Sequence, residues 1–143
     1  MSAHSRSRGQ AMVEMAFAFP IFIVLLLGLV EGGRFVFYSE VLTHATRDGA
    51  RYAIIHGQHA DDGIPTGPGS ADPTGNAVKQ AVRDSATGIG DRLNILIPDP
   101  EYSPNNNRRG STVTVNAQYT YTPIVPVFGS ITVESEATLV INN

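Results

Sequence analysis

The feature that most constrains this chain is an apolar run. From Met15 to Val30 no side chain is charged or able to hydrogen-bond. With Ala11 to Val13 the apolar segment reaches roughly 20 residues, about what a helix needs to cross the hydrocarbon of a bilayer. A single carboxylate, Glu14, interrupts it near its N-terminal end. A charge inside a spanning helix is expensive and marks a functional site. Directly before the segment lies a short polar run with Arg6 and Arg8, ending in Gly9.

Those residues carry a resemblance. A basic leader, then Gly9, four residues, Glu14 and an apolar helix resembles the class III signal peptide of the type IV pilin superfamily. The run Arg8-Gly9-Gln10-Ala11-Met12-Val13-Glu14-Met15-Ala16, followed by Pro20 and by Glu31-Gly32-Gly33-Arg34, is similar to the TadE-like family. Thr43 to Ala53, with its Arg-Asp-Gly-Ala-Arg-Tyr-Ala core, matches a run common in that family, and Met15 stands where an aromatic residue is common. The resemblance covers roughly the first 55 residues. It implies a minor pilin or pseudopilin of a tight-adherence (Flp, type IVb) pilus that contributes to pilus assembly and surface adhesion. It further implies cleavage by a prepilin peptidase between Gly9 and Gln10, and neutralisation of Glu14 by the new terminal amine of Gln10 on a neighbouring subunit or on its own chain. The implied partners are that peptidase, other Tad/Flp pilins, assembly-platform proteins and inner-membrane lipid.

The arginines beside the apolar run bias that end to the cytoplasm. The other flank, Glu31 against Arg34, is locally neutral. The expectation is a bacterial inner-membrane protein with one span, N-terminus in the cytoplasm, passing to the cell exterior if it enters a pilus. A conventional signal peptide ends in small residues after a shorter apolar run. The cut that the resemblance implies would precede the run, which would stay with the mature protein. The plainer alternative is an uncleaved single-pass protein whose outer domain binds an envelope partner.

Net charge is −3 and basic residues do not cluster beyond the N-terminus, which argues against nucleic-acid binding. There are no cysteines, so disulfides and thiolate metal sites are excluded. Neither a nucleophile–base pattern nor a phosphate loop is visible: Gly57 to Gly75 is glycine-rich but lacks the lysine and following Ser or Thr of a P-loop. The chain reads as no enzyme, with no cofactor. His44, His56 and His59 complete no metal spacing. Asp61, Asp62 and Asp72 lack the ordered spacing of a calcium loop and read as a solvated turn.

Pro20 lies inside the apolar helix, where it removes a backbone donor and marks a kink or loosening point. Gly32 and Gly33 lower helix propensity by roughly 2 kcal/mol relative to alanine, which suggests a hinge or close packing. Beyond them Phe35, Tyr38, Val41, Leu42, Ala45, Gly49, Tyr52 and Ala53 fall on one helical stripe. The helix therefore continues to about Ile55, too long for a bilayer, and its second half must carry something on that stripe.

Asn76 reads as the cap of a short helix over 77–87, stopped by Gly88. Leu93 to Ile97 reads as a strand, Pro100 to Gly110 as a turn with Arg108 and Arg109 at a solvated tip, and Ser111 to Tyr121 and Ile131 to Ile141 as alternating strands. Three such strands form an antiparallel sheet with one wet face, and a sheet that small needs a partner for the other. The expected class is α+β: a long N-terminal transmembrane helix packed on a small antiparallel sheet, pilin-like. The divisions are residues 1–9 as a cleaved leader, 10–56 as the helix with about 11–30 in the membrane, and 57–143 as a small α+β outer domain.

Overall fold

A computed structural model describes residues 3–58, 64–86, 88, 95–125 and 129–142, with the side chains of 3–8 left undescribed. Helix α1 (Ala3–Ile55) runs without interruption through Pro20 and through Gly32-Gly33. Its 53 residues make a rod of ~80 Å at 1.5 Å per residue. The helix reaches back to Ala3, inside the stretch expected to be a cleaved leader. Once the apolar run has nucleated a helix, each added residue gains a hydrogen bond, and nothing from Ala3 to Arg8 breaks the ladder.

Helix α2 (Asn76–Ser85) and strands β1 (Ile95–Leu96), β2 (Glu101–Ser103), β3 (Thr112–Tyr121) and β4 (Ile131–Val140) complete the fold. The result is the expected α+β layout, a long apolar helix plus a small antiparallel sheet. β3 is the central strand. β4 pairs antiparallel with it over all ten residues, from Thr112 opposite Val140 to Tyr121 opposite Ile131. On its other side β3 pairs with β2 at the Thr112 end and with β1 at the Tyr119 end. Among the described residues the sheet thus has four strands where the sequence suggested three. The extra one, β2, lies between Pro100 and Pro104 in the stretch read as a turn, too short to show a period.

Alternation decides the faces of β3. Val113, Val115, Ala117, Tyr119 and Tyr121 are buried against the helices. Leu42, Ala45, Ala50 and Ala53 of α1 meet them with Val78 and Val82 of α2 and with Ile141. Each fully buried valine or leucine contributes about 1.5–3 kcal/mol. The helix offers mostly small residues, which lets its backbone approach the sheet. At Gly49 the tight approach is to α2: a Cβ there would lie 2.3 Å from Val82 Cγ2 and 3.6 Å from Val115 Cγ1 of β3.

The cap of α2 is not Asn76. Gly75, in the left-handed region (φ 63°), precedes the helix, and the Asp72 carboxylate accepts from the Ala77 N–H at 2.8 Å and from Asn76 Nδ2 at 3.2 Å. Asp72 is accordingly buried rather than solvated. The helix stops at Ser85, with the Ala86 N–H on the Val82 carbonyl, before reaching Gly88. Segment 64–75 is stitched to its surroundings by Thr66 N–H to His56 O at 2.8 Å and by Asn107 Nδ2 to Thr66 O at 2.9 Å. His59, Asp61, Asp62, Leu93 and Asn94 lie outside the described residues.

Candidate functional site: the membrane-length helix and its anchor

Among the described residues, the first half of α1 is exposed throughout, from Gly9 to Val30. Its most apolar 18-residue window has a mean hydropathy of 2.5 and none of it is buried. Exposure on this scale, from Met12 through Val30, fits a single-pass membrane protein. Gly9, Gln10 and Glu14 all sit on this exposed part, within unbroken helix. No atom lies within 4 Å of the position a Cβ on Gly9 would take. Glu14 has no partner among the described side chains. The structure places these three on one open helical segment and brings nothing from the outer domain to them.

Where the helix leaves its exposed half, the chain builds an anchor that the sequence did not announce. Glu31, read from the sequence only as a charge offset by Arg34 on the outer flank, is buried. Its carboxylate accepts from the Tyr121 hydroxyl at the end of β3 and from the Ile124 backbone N–H at 2.7 Å. Arg34 Nη1 stands 3.4 Å away and supplies the countercharge. The arginine also lies over the rings of Tyr38 and Tyr121, 5.7 Å from each centroid. Phe35, Tyr38, Tyr119 and Tyr121 interlock edge-to-face or tilted at 5.7–5.8 Å. Aromatic contacts of this kind add about 0.5–1.5 kcal/mol beyond area burial.

Electrostatics follow the geometry. Hydrogen bonding from Tyr121, helped by the Ile124 N–H and Arg34, holds the Glu31 carboxyl below its ordinary range against the opposing effect of desolvation. Burial, with the bond to Glu31, pushes the Tyr121 hydroxyl up to about 12. The only advance sign of the site is the recurrence of Tyr119 and Tyr121 on the buried face of β3. Beside the anchor, Gly28, Gly32, Phe35, Tyr121, Pro123 and Ile131 line an apolar cleft of about 230 Å³. Among the described residues, no atom beyond the helix's own backbone lies within 4 Å of the Cβ positions of Gly32 and Gly33, so no packing contact seen there requires glycine.

No group of three or more His, Cys, Asp or Glu that could hold a metal occurs among the described residues. His44 is exposed, and His56 stacks on Tyr52 at 3.9 Å with Nδ1 against the Tyr52 carbonyl.

Residues 9–51 match the family model described as TadE-like protein. The matched segment takes in Gly9, Glu14, the membrane-length run, Glu31 and most of the stripe that packs on the sheet. The chain therefore carries a TadE-like segment confined to residues 9–51. No curated protein and no solved structure matches the chain.

Proposed function

We propose that the protein is a minor pilin or pseudopilin of a tight-adherence pilus, cut by a prepilin peptidase after Gly9 and held in the inner membrane by the first half of α1 until assembly. The observation that carries this reading is the TadE-like match over residues 9–51, falling on a helix whose apolar half is left uncovered by its own chain. A helix that packs on nothing in its own fold is built to pack on lipid and then on other helices. Glu14 supports the reading further. A desolvated charge needs a partner, and cleavage after Gly9 creates one, the amine of Gln10. Pairing that amine with a neighbour's Glu14 would set the axial register between subunits. Pro20, the one residue in the span without a backbone donor, supplies a point where the helix can loosen on leaving the bilayer.

The outer domain, clamped to α1 by the Glu31 anchor, would then stand on the periplasmic side and contribute to assembly and adhesion. The test is N-terminal sequencing of protein recovered from cells with and without the peptidase. The expected sequence begins at Gln10 in the first and at the leader in the second. Gly9→Ala should block cutting, whereas Glu14→Ala should leave cutting intact and impair incorporation. Assembled material that retains its leader would instead identify an uncleaved, tethered domain.

A further inference from the structure

The outer sheet ends in an open edge. Among the described residues β4 pairs with β3 alone, so one side of a ten-residue strand presents unpaired backbone groups. Natural edge strands of this length are normally shortened, bulged or covered, because such an edge accepts another strand. Here α1 forms a wall beside it. Arg47 and Arg51 of the helix, with Glu136, Ala137, Thr138 and Leu139 of β4, line a groove of about 310 Å³. Both arginines are exposed, and the ion pair of Arg51 with Asp48 is loose, at 3.9 Å. Arg47 has no partner among the described residues. Glu134 and Glu136 are exposed on β4, across from Gln118 and Asn116 of β3, with Glu136 also bordering the groove.

From this arrangement we propose that the β4 edge is a docking site for an extended segment of another polypeptide, with acidic side chains on its helix-facing side and basic side chains on its outer side. Side chains of an added strand alternate between the two faces, and main-chain hydrogen bonds to an open edge supply affinity while the alternating side chains supply selectivity. Spacing agrees with charge. Arg47 and Arg51, four residues apart on a helix, are offset by about 6 Å along its axis. Carboxylates two residues apart on a strand are about 6.6 Å apart. The outer positions of the same segment run beside Glu134 and Glu136, where lysine or arginine fits.

A second copy of β4 is the wrong occupant. It would turn Val133, Ser135, Ala137 and Leu139 toward the arginines and bring its own Glu134 and Glu136 beside those already there. Like charges on adjacent strands are destabilising. The proposal is independent of leader cleavage, since no residue in it belongs to the N-terminal half of α1.

The experiment uses the full chain in neutral detergent micelles and a fluorescein-labelled peptide, Thr-Val-Glu-Lys-Glu-Lys-Val-Thr, read by anisotropy. Two further peptides carry N-methyl groups on alternate backbone amides, one set on the odd positions and one on the even. The expected result is saturable binding, abolished by one methylation pattern and not by the other. Reversing both arginines (R47E with R51E) should weaken binding about tenfold or more, and exchanging Glu and Lys in the peptide should recover it. Absence of binding up to millimolar peptide overturns the proposal. So does equal binding by both methylated peptides, which would show a charge contact without strand pairing. Concentration-dependent dimerisation that the peptide cannot displace, lost on Thr138→Pro, would assign the edge to a second copy and overturn it as well.

Discussion

The Tyr121 hydroxyl donates to the Glu31 carboxylate across a sequence separation of 90 residues, tying the end of β3 to the point where α1 leaves its exposed half. The pair ties the outer domain to α1 at the membrane-proximal end of the stripe, Phe35 to Ala53, by which the helix packs on the sheet.

Removing the donor tests that link. Tyr121→Phe keeps the aromatic packing and strips one hydrogen bond from a buried carboxylate that retains the Ile124 N–H and Arg34. An unsatisfied buried acceptor costs more than the mean net worth of a bond. The variant should unfold at lower temperature than the parent by circular dichroism in detergent. Arg34→Ala should do less harm, because the arginine is partly exposed and its contact is the longest of the three.

The same pair predicts two pH windows. Glu31 is held below its ordinary value of 4.5 in the folded state, so its contribution is present above that pH and lost as pH falls through the lower folded value. Tyr121 is raised from 10.0 to about 12, so its contribution is complete below pH 10 and lost as pH climbs toward 12. Stability of the full chain should therefore decline at both ends. Glu31→Gln should remove this group's share of the acid decline. An ultraviolet phenolate titration should show a late-ionising tyrosine that is missing from Tyr121→Phe.

Helix packing offers a cleaner energetic test at Gly49. Gly49→Ala places a methyl group 2.3 Å from Val82 Cγ2, so α2 must shift or Val82 must leave its rotamer. Overpacking of this kind costs about 1–3 kcal/mol. Combining it with Val82→Ala, which clears the clashing methyls, should be less harmful than the sum of the two single changes. A double-mutant cycle by denaturant unfolding measures that coupling.

The sequence made the rod legible because its signals are long and redundant: an apolar run from Ala11 to Val30 interrupted only by Glu14, then a stripe from Phe35 to Ala53 at helical spacing. The alternation of Val113 through Tyr121 likewise gave β3 its inward face. What escaped is built from single contacts between distant segments. Glu31 looked like a surface partner of Arg34 because nothing local reveals that Tyr121 and Ile124 arrive from 90 and 93 residues away. Asp72 looked like a loop carboxylate because it caps α2 from five residues before Ala77, outside the usual capping distance. Strand β2 escaped because Tyr102 alone of its three residues packs inward, against Gly67 and Thr66. Gly67 (φ +96°) has no room for a Cβ, which would lie 2.6 Å from the Tyr102 ring. Gly9, Gln10 and Glu14 are read from spacing and resemblance alone, whereas the anchor at Glu31, 17 residues further along α1 than Glu14, depends on the tertiary fold.

Capping gives a prediction confined to one element. Asp72→Ala removes the acceptor for the Ala77 N–H and the Asn76 amide at once, while the backbone turn through Gly75 remains. Loss of a side-chain cap costs about 0.5–2 kcal/mol. Asp72→Asn should recover part of it, since its side-chain oxygen can still accept from Ala77.

Asn107 supplies the last test, because its bonds hold the segment after α1 in place. Its buried side chain donates to the Thr66 carbonyl at 2.9 Å, and its own carbonyl accepts from the Gln58 N–H at 3.1 Å. Asn107→Ala keeps the second bond and removes the first, leaving a buried carbonyl unpaired at a cost of about 1–3 kcal/mol. Because Thr66 also bonds His56 and Tyr102, the loss should appear first as local opening. Hydrogen exchange at the Thr66 and Gly67 amides should accelerate, while amides in the middle of β3 keep their protection. Uniform acceleration across both would show instead that the stitch supports the whole domain, and equal exchange in variant and parent would show that Asn107 carries no part of the load.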